Sequence, residues 1–214
     1  MRKMFRFLFW CALIVGGMIG ILRATAIRWW RVPTDDPYLT ASLSPSIRPG
    51  DLVLLWRLTK PGFGDLVLCP EPKRPERVVI GRLVGEGRDD LVVEGADITI
   101  NRKRQMVESN CAQGTFIEHD PGTGIQVEQH CSIEDLGGGT NFRGEIPEPA
   151  LRPADVKTTV PDGTVWLVSD NRLYPYDSRD FGPVVRSTCA ETVFFRLVGA
   201  GGFFDAETRN QYIR

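Results

Sequence analysis

The feature that most constrains this chain is an apolar run at its N-terminus. Residues 4–22 (MFRFLFWCALIVGGMIGIL) contain a single charge, Arg6. About 20 apolar residues are what a helix needs to cross a bilayer core. A buried core helix would be an odd occupant of a basic chain terminus, so the run predicts an N-terminal membrane anchor over residues 1–31. Arg2, Lys3 and Arg6 stand on one side of its apolar centre and Arg23, Arg28 and Arg31 on the other, with Trp29 and Trp30 at the second boundary. Aromatic residues there suit interfacial anchoring, while the equal basic counts leave the orientation open. Ala24-Thr25-Ala26 resembles a cleavage site for a removable leader. The run is longer than a usual leader's apolar region, which favours an uncleaved anchor.

Beyond the anchor the chain reads as strands. Residues 32–41 (VPTDDPYLTA) form a short linker, because two prolines and two aspartates interrupt any period. Residues 51–58, 65–69, 77–84, 91–94, 98–100, 164–168 and 191–198 are short apolar or β-branched runs separated by Gly, Pro and Asp, the pattern of hairpins. Helical periodicity is scarce after residue 30. Residues 110–161, with GTG, GGG and several prolines, read as a long insertion with weak structure of its own, and loops of that length are usually functional or mobile. The expected organisation is the anchor (1–31), a first β segment (32–109), the insertion or cap (110–161) and a last β segment (162–214).

Several function classes are disfavoured at once. The net charge is −1 and the basic residues are scattered, so no electrostatic footprint for nucleic acid exists. No CxxC pair occurs among the five cysteines, which argues against a zinc site, and no cofactor motif is present. If the body lies in an oxidising compartment, Cys111 and Cys131 can staple the insertion, worth about 3 kcal/mol in the loop-entropy view. For Cys69 and Cys189, free buried thiols are an equally good reading. His119 and His130 read as solvated loop residues.

Two motifs carry chemistry. Thr40-Ala41-Ser42-Leu43-Ser44-Pro45-Ser46-Ile47, followed by Pro49-Gly50-Asp51, is a Ser/Pro-rich turn before a strand, common when taken alone. Ser169-Asp170-Asn171-Arg172 with Asp177-Ser178-Arg179-Asp180-Phe181-Gly182 is far more specific. Between them stand Gly64-Asp65-Leu66-Val67 and Arg82-Leu83-Val84-Gly85 with Asp89. Together, in this order and behind an anchor, these four boxes resemble the signal peptidase I family of serine endopeptidases over residues 40–185.

The resemblance implies a mainly β fold, an antiparallel domain of two packed sheets on the outer surface of a bacterial inner membrane, held by a single transmembrane helix. It implies that signal peptides of exported precursors are the partners, with membrane lipid as the platform. It also assigns Ser42 as nucleophile, and the Ser42 N–H with the Thr40 hydroxyl as oxyanion donors. Arg82, Asp170, Asn171, Arg172, Asp177, Ser178 and Arg179 become framework beside the site. The departure is at the base: the family places a lysine, or a histidine in one branch, immediately before the arginine matched by Arg82, and this chain has Gly81. A serine that supports the lysine in the family is replaced by Pro175. Arg82 cannot serve instead, since guanidinium stays protonated. The expectation is therefore a membrane-bound serine endopeptidase that cleaves signal peptides with an unusual base, the alternative being an impaired homologue that binds exported segments or a partner. Either way, Ser42 is expected at the edge of a cleft near Gly81, within reach of the last box.

Overall fold

In a computed structural model, which describes residues 2–137, 140–146, 153–205 and 208–213, helix α1 (Arg2–Thr25) runs directly into strand β1 (Ile27–Arg31). Helix α2 (Pro37–Leu43) follows, then β2 (Leu52–Trp56), β3 (Leu66–Glu71) and the long β4 (Arg74–Glu86). Strands β5 (Asp90–Glu94), β6 (Asp97–Ile100) and β7 (Lys103–Arg104) lead to β8 (Met106–His119), β9 (Gln126–Asp135) and β10 (Thr140–Glu145). The chain closes with β11 (Val156–Thr159), β12 (Thr164–Val168), helix α3 (Ser178–Phe181), β13 (Val184–Val185), β14 (Glu191–Val198) and β15 (Gln211–Tyr212). All the strand pairs are antiparallel. The mainly β, antiparallel expectation is met. The strands divide into a main eight-stranded sheet (β1-β2-β14-β3-β4-β12-β13, with β15 on β14), a four-stranded sheet (β11-β5-β6-β7) and a three-stranded cap sheet (β10-β9-β8).

Strand alternation builds the core, because successive side chains point to opposite faces. In β4, Ile80 joins a cluster with Leu39, Leu43 and Ile47, which lays α2 and the turn after it on one face. Val79 and Leu83 join Val67, Leu167 and Phe181 on the other. Val84 turns the sheet toward the four-stranded layer, packing with Leu91, Val93 and Trp166. Helix α1 is long and apolar enough to span a membrane, and none of its apolar window is buried against the protein.

Two departures from the sequence reading have local causes. The stretch read as a linker contains α2: Asp36 caps it by accepting from the Leu39 N–H at 3.1 Å, and Pro37 occupies its first turn, where a missing N–H costs nothing. The insertion is not weakly structured, since β8, β9, β10 and β11 fill more than half of it. Strand β8 is mostly exposed, and β9 and β10 bury polar and charged side chains such as Gln129, Glu134 and Arg143, so no apolar run announced them. Cys111 and Cys131 are bonded across β8 and β9, as expected, and Cys69 and Cys189 form a second disulfide, which decides against the free-thiol reading of that pair.

Candidate active site

The four boxes meet on one side of the main sheet. Arg82 is fully buried and grips Asp170 with two bonds, Nε to Oδ1 at 2.8 Å and Nη2 to Oδ2 at 3.1 Å. Its other contacts are the Gly64 carbonyl at 3.2 Å and the Ser46 hydroxyl at 3.4 Å, so one guanidinium ties together all four boxes. A bidentate geometry of this kind suits arginine and not lysine. Asn171 continues the join: its N–H donates to the Ser42 carbonyl at 3.0 Å, and its side-chain oxygen accepts from the N–H groups of Leu173 and Tyr174. Arg172 reaches into the cap, where it pairs with Glu134.

Behind this lies a second buried pair. Asp177 accepts from Arg179 Nη2 at 2.7 Å, from Arg179 Nε at 3.0 Å and from the Ser169 N–H at 2.7 Å. Burial pushes the Asp177 carboxyl up, but the Arg179 charge and these donors outweigh it and hold the group below the usual carboxylate range. Ser178 accepts from the Leu167 N–H at 2.9 Å. These contacts are structural in kind.

The chemical positions are arranged differently. Ser42 is the sixth residue of the seven-residue α2 and is completely buried, not at a cleft edge as the sequence reading expected. Its hydroxyl donates back to the Leu39 carbonyl at 2.7 Å. Thr40 does the same to Pro37 at 3.1 Å. Both are local side-chain-to-backbone bonds of the kind Ser and Thr make within helices. The Ser42 N–H lies beyond the first four donors that a helix leaves free. The nucleophile and oxyanion candidates are thus adjacent, as expected, with their donors turned to α2 itself.

Gly81 pairs with Val67 of β3 and lies on the face of Val79 and Leu83, opposite α2. A Cβ there would stand 3.1 Å from Leu167 Cβ and 3.2 Å from the Val168 carbonyl oxygen, tighter than ordinary contact. A side chain at Gly81 therefore requires Leu167 and Val168 to give by a few tenths of an ångström. The four lysines of the body, Lys60, Lys73, Lys103 and Lys157, are all exposed. None has the burial that would make it a base. His119 and His130 are also exposed.

The cap supplies contacts that sequence reasoning missed. Phe116, Glu118 and Asp120 alternate along one face of the β8 end and its turn. Glu118 accepts from the Ser44 hydroxyl, and the Asp120 carboxylate stands beside the Tyr174 hydroxyl. Burial first, then the Asp120 charge, push the Tyr174 hydroxyl pKa up. Period-two spacing of Phe116, Glu118 and Asp120 was the available signal, but the polar run around it hid the strand. No group of three or more metal-ligating side chains occurs among the described residues.

One further feature faces α2. Strand β4 is paired on both sides at Arg82 and Leu83, by β3 and its flank and by β12, whereas residues 78–81 pair with β3 alone. Arg77 at the start of this one-sided stretch bonds Asp36, the cap of α2. An edge of open backbone groups therefore runs beside the helix that carries Ser42.

The family model for signal peptidase, peptidase S26, matches residues 3–198. Signal peptidase I V of Bacillus subtilis is 24% identical over 188 residues, covering 86% of this chain and 92% of the relative. Mitochondrial ATP-independent inner membrane protease subunit 1a of Arabidopsis thaliana is 25% identical over 162 residues, covering 72% and 66% respectively.

Proposed function

This chain belongs to the signal peptidase (peptidase S26) family, and from that premise we propose that it binds the signal-peptide region of exported precursor proteins without cutting it. The reading places the β body on the outer face of a bacterial inner membrane, held by α1 as a single span. The observation that carries it is the one-sided edge of β4 at residues 78–81, set beside a helix whose Ser42 and Thr40 hydroxyls are both bonded to their own turn. An extended peptide adds to such an edge through backbone hydrogen bonds. Hydrolysis requires in addition a proton acceptor at Ser42, worth about 10²- to 10⁴-fold. Position 81 supplies none, and the nearby Glu118 carboxylate is bonded to Ser44. The membrane end of the sheet suits lipid contact: Trp29 is exposed under the Arg23 guanidinium, 4.8 Å from its ring, and exposed Leu58 follows Trp56, the partner of Ile27.

A second reading, a working serine endopeptidase, is favoured by the intact framework of Arg82 with Asp170 and of Asn171 with Ser42. In that reading the Ser42 hydroxyl rotates off the Leu39 carbonyl when substrate binds. Purified full-length protein, given a precursor with an Ala-x-Ala site beside the Ser42→Ala variant, separates the two. Equal background rates with retained precursor binding support the binder. Cleavage abolished by Ser42→Ala establishes the peptidase.

A further inference from the structure

A cleft of about 380 Å³ opens at the other end of α2, between the body and the cap. That volume lies in the range of pockets that hold a small ligand, ~300–1,000 Å³. Its apolar walls are Pro45, Phe116, Phe142 and the Cys111–Cys131 disulfide, its neutral polar walls are Gln113, Thr208 and Gln211, and its charged groups are Arg48 and Arg196. Among the described residues no carboxylate lines it, although the chain as a whole is slightly acidic. The two arginines differ. Arg196 is buried and neutralised by Asp51 at 3.1 Å. Arg48 is exposed, and its guanidinium has no ion pair or hydrogen bond among the described residues. The cleft therefore mixes apolar walls with polar ones, and Arg48 is the one positive charge in it left uncompensated among the described residues.

Its position relative to α2 gives it an occupant. The open edge of β4 is tied to the N-terminal cap of α2 through Arg77 and Asp36, whereas the cleft begins at Pro45, just beyond the C-terminal end. A helix of seven residues is about 10 Å long. Ser42 lies between the two sites, so a chain lying along the β4 edge and passing α2 arrives at the cleft. The cleft is also remote from the anchor end: Ile27, next to α1, pairs with Trp56, whereas Arg48 precedes the opposite end of β2 at Leu52. That separation disfavours a lipid headgroup as the ligand.

We propose that this cleft receives the stretch of an exported chain downstream of the Ala-x-Ala position, and that Arg48 makes it select an acidic residue flanked by apolar ones. The inference rests on the binding function proposed above. Attraction of this kind falls as salt rises, because Arg48 is at the surface.

The test uses full-length protein in detergent micelles and three fluorescent peptides. One ends at the Ala-x-Ala site, one continues with an apolar-Glu-apolar stretch, and one continues with Gln in place of Glu. The Glu peptide should bind about 5- to 10-fold more tightly than the Gln peptide, with the advantage shrinking in high salt. Arg48→Gln should remove that advantage and Arg48→Lys should restore most of it, while the short peptide binds all variants alike. Equal affinity for the Glu and Gln peptides, or an advantage that survives Arg48→Gln, overturns the inference. If the short peptide fails to bind while the Glu preference persists through Arg48, the cleft stands and the β4-edge reading falls.

Discussion

The framework around Arg82 and helix α2 lie side by side, yet their polar groups are satisfied in opposite ways. Arg82 bonds to Gly64, Ser46 and Asp170, groups far apart in sequence, and so records the tertiary fold. Thr40 and Ser42 bond to carbonyls three residues back and record only their own helix. In the binding function proposed here, the contrast teaches that the architecture of a family's site persists while the hydroxyls beside it serve local structure.

The comparison breaks first at Arg82. Asp170→Ala strands a buried guanidinium and should cost about 3–5 kcal/mol, read as a lowered urea midpoint, while Ser42→Ala should change that midpoint far less. If the two variants are equally destabilised, the distinction between framework and helix is false.

The pair behind it should show as acid sensitivity. The folded Asp177 carboxyl is held below its unfolded value, about 3.9, so its contribution is present above that value. It is lost as pH falls through the folded one. Asp177→Asn should cost about 1–3 kcal/mol at neutral pH and flatten the fall in stability below pH 4, measured by denaturation across pH.

Gly81 sharpens the argument about chemistry. Gly81→Lys must push Leu167 and Val168 aside, and overpacking of this sort costs about 1–3 kcal/mol. Restored precursor cleavage at full stability would show that the slot at Gly81 is still competent.

The smallest effect belongs to the cap. Glu118→Gln weakens the bond to Ser44 by about 1 kcal/mol, and hydrogen exchange should quicken along the β8 end and its turn while β4 stays protected.

Much of this molecule was legible in one dimension. The apolar run at 4–22 announced α1, and the short β-branched runs gave β2–β6, β12 and β14 to within a few residues. SDNR with DSRDFG identified the residues that pack around Arg82. Helix α2 was signalled by Asp36-Pro37, a start signal that reads equally well as a turn when no apolar period follows. The cap strands were hidden because polar strands, whether exposed as in β8 or burying charged side chains as in β9 and β10, leave no hydrophobic alternation. The Cys69–Cys189 bond depends on two residues 120 positions apart meeting beside β3, which no local pattern encodes.

The sequence alone determined the family, the anchor and the absence of a base at position 81, because these are matters of residue type and order. Only the tertiary structure decided that Ser42 is buried with its hydroxyl bonded within α2, that Leu167 and Val168 crowd Gly81, and that Arg48 faces a cleft without carboxylates among the described residues. Those are facts about which atoms occupy a given volume, and packing settles them only when strands distant in the chain come together.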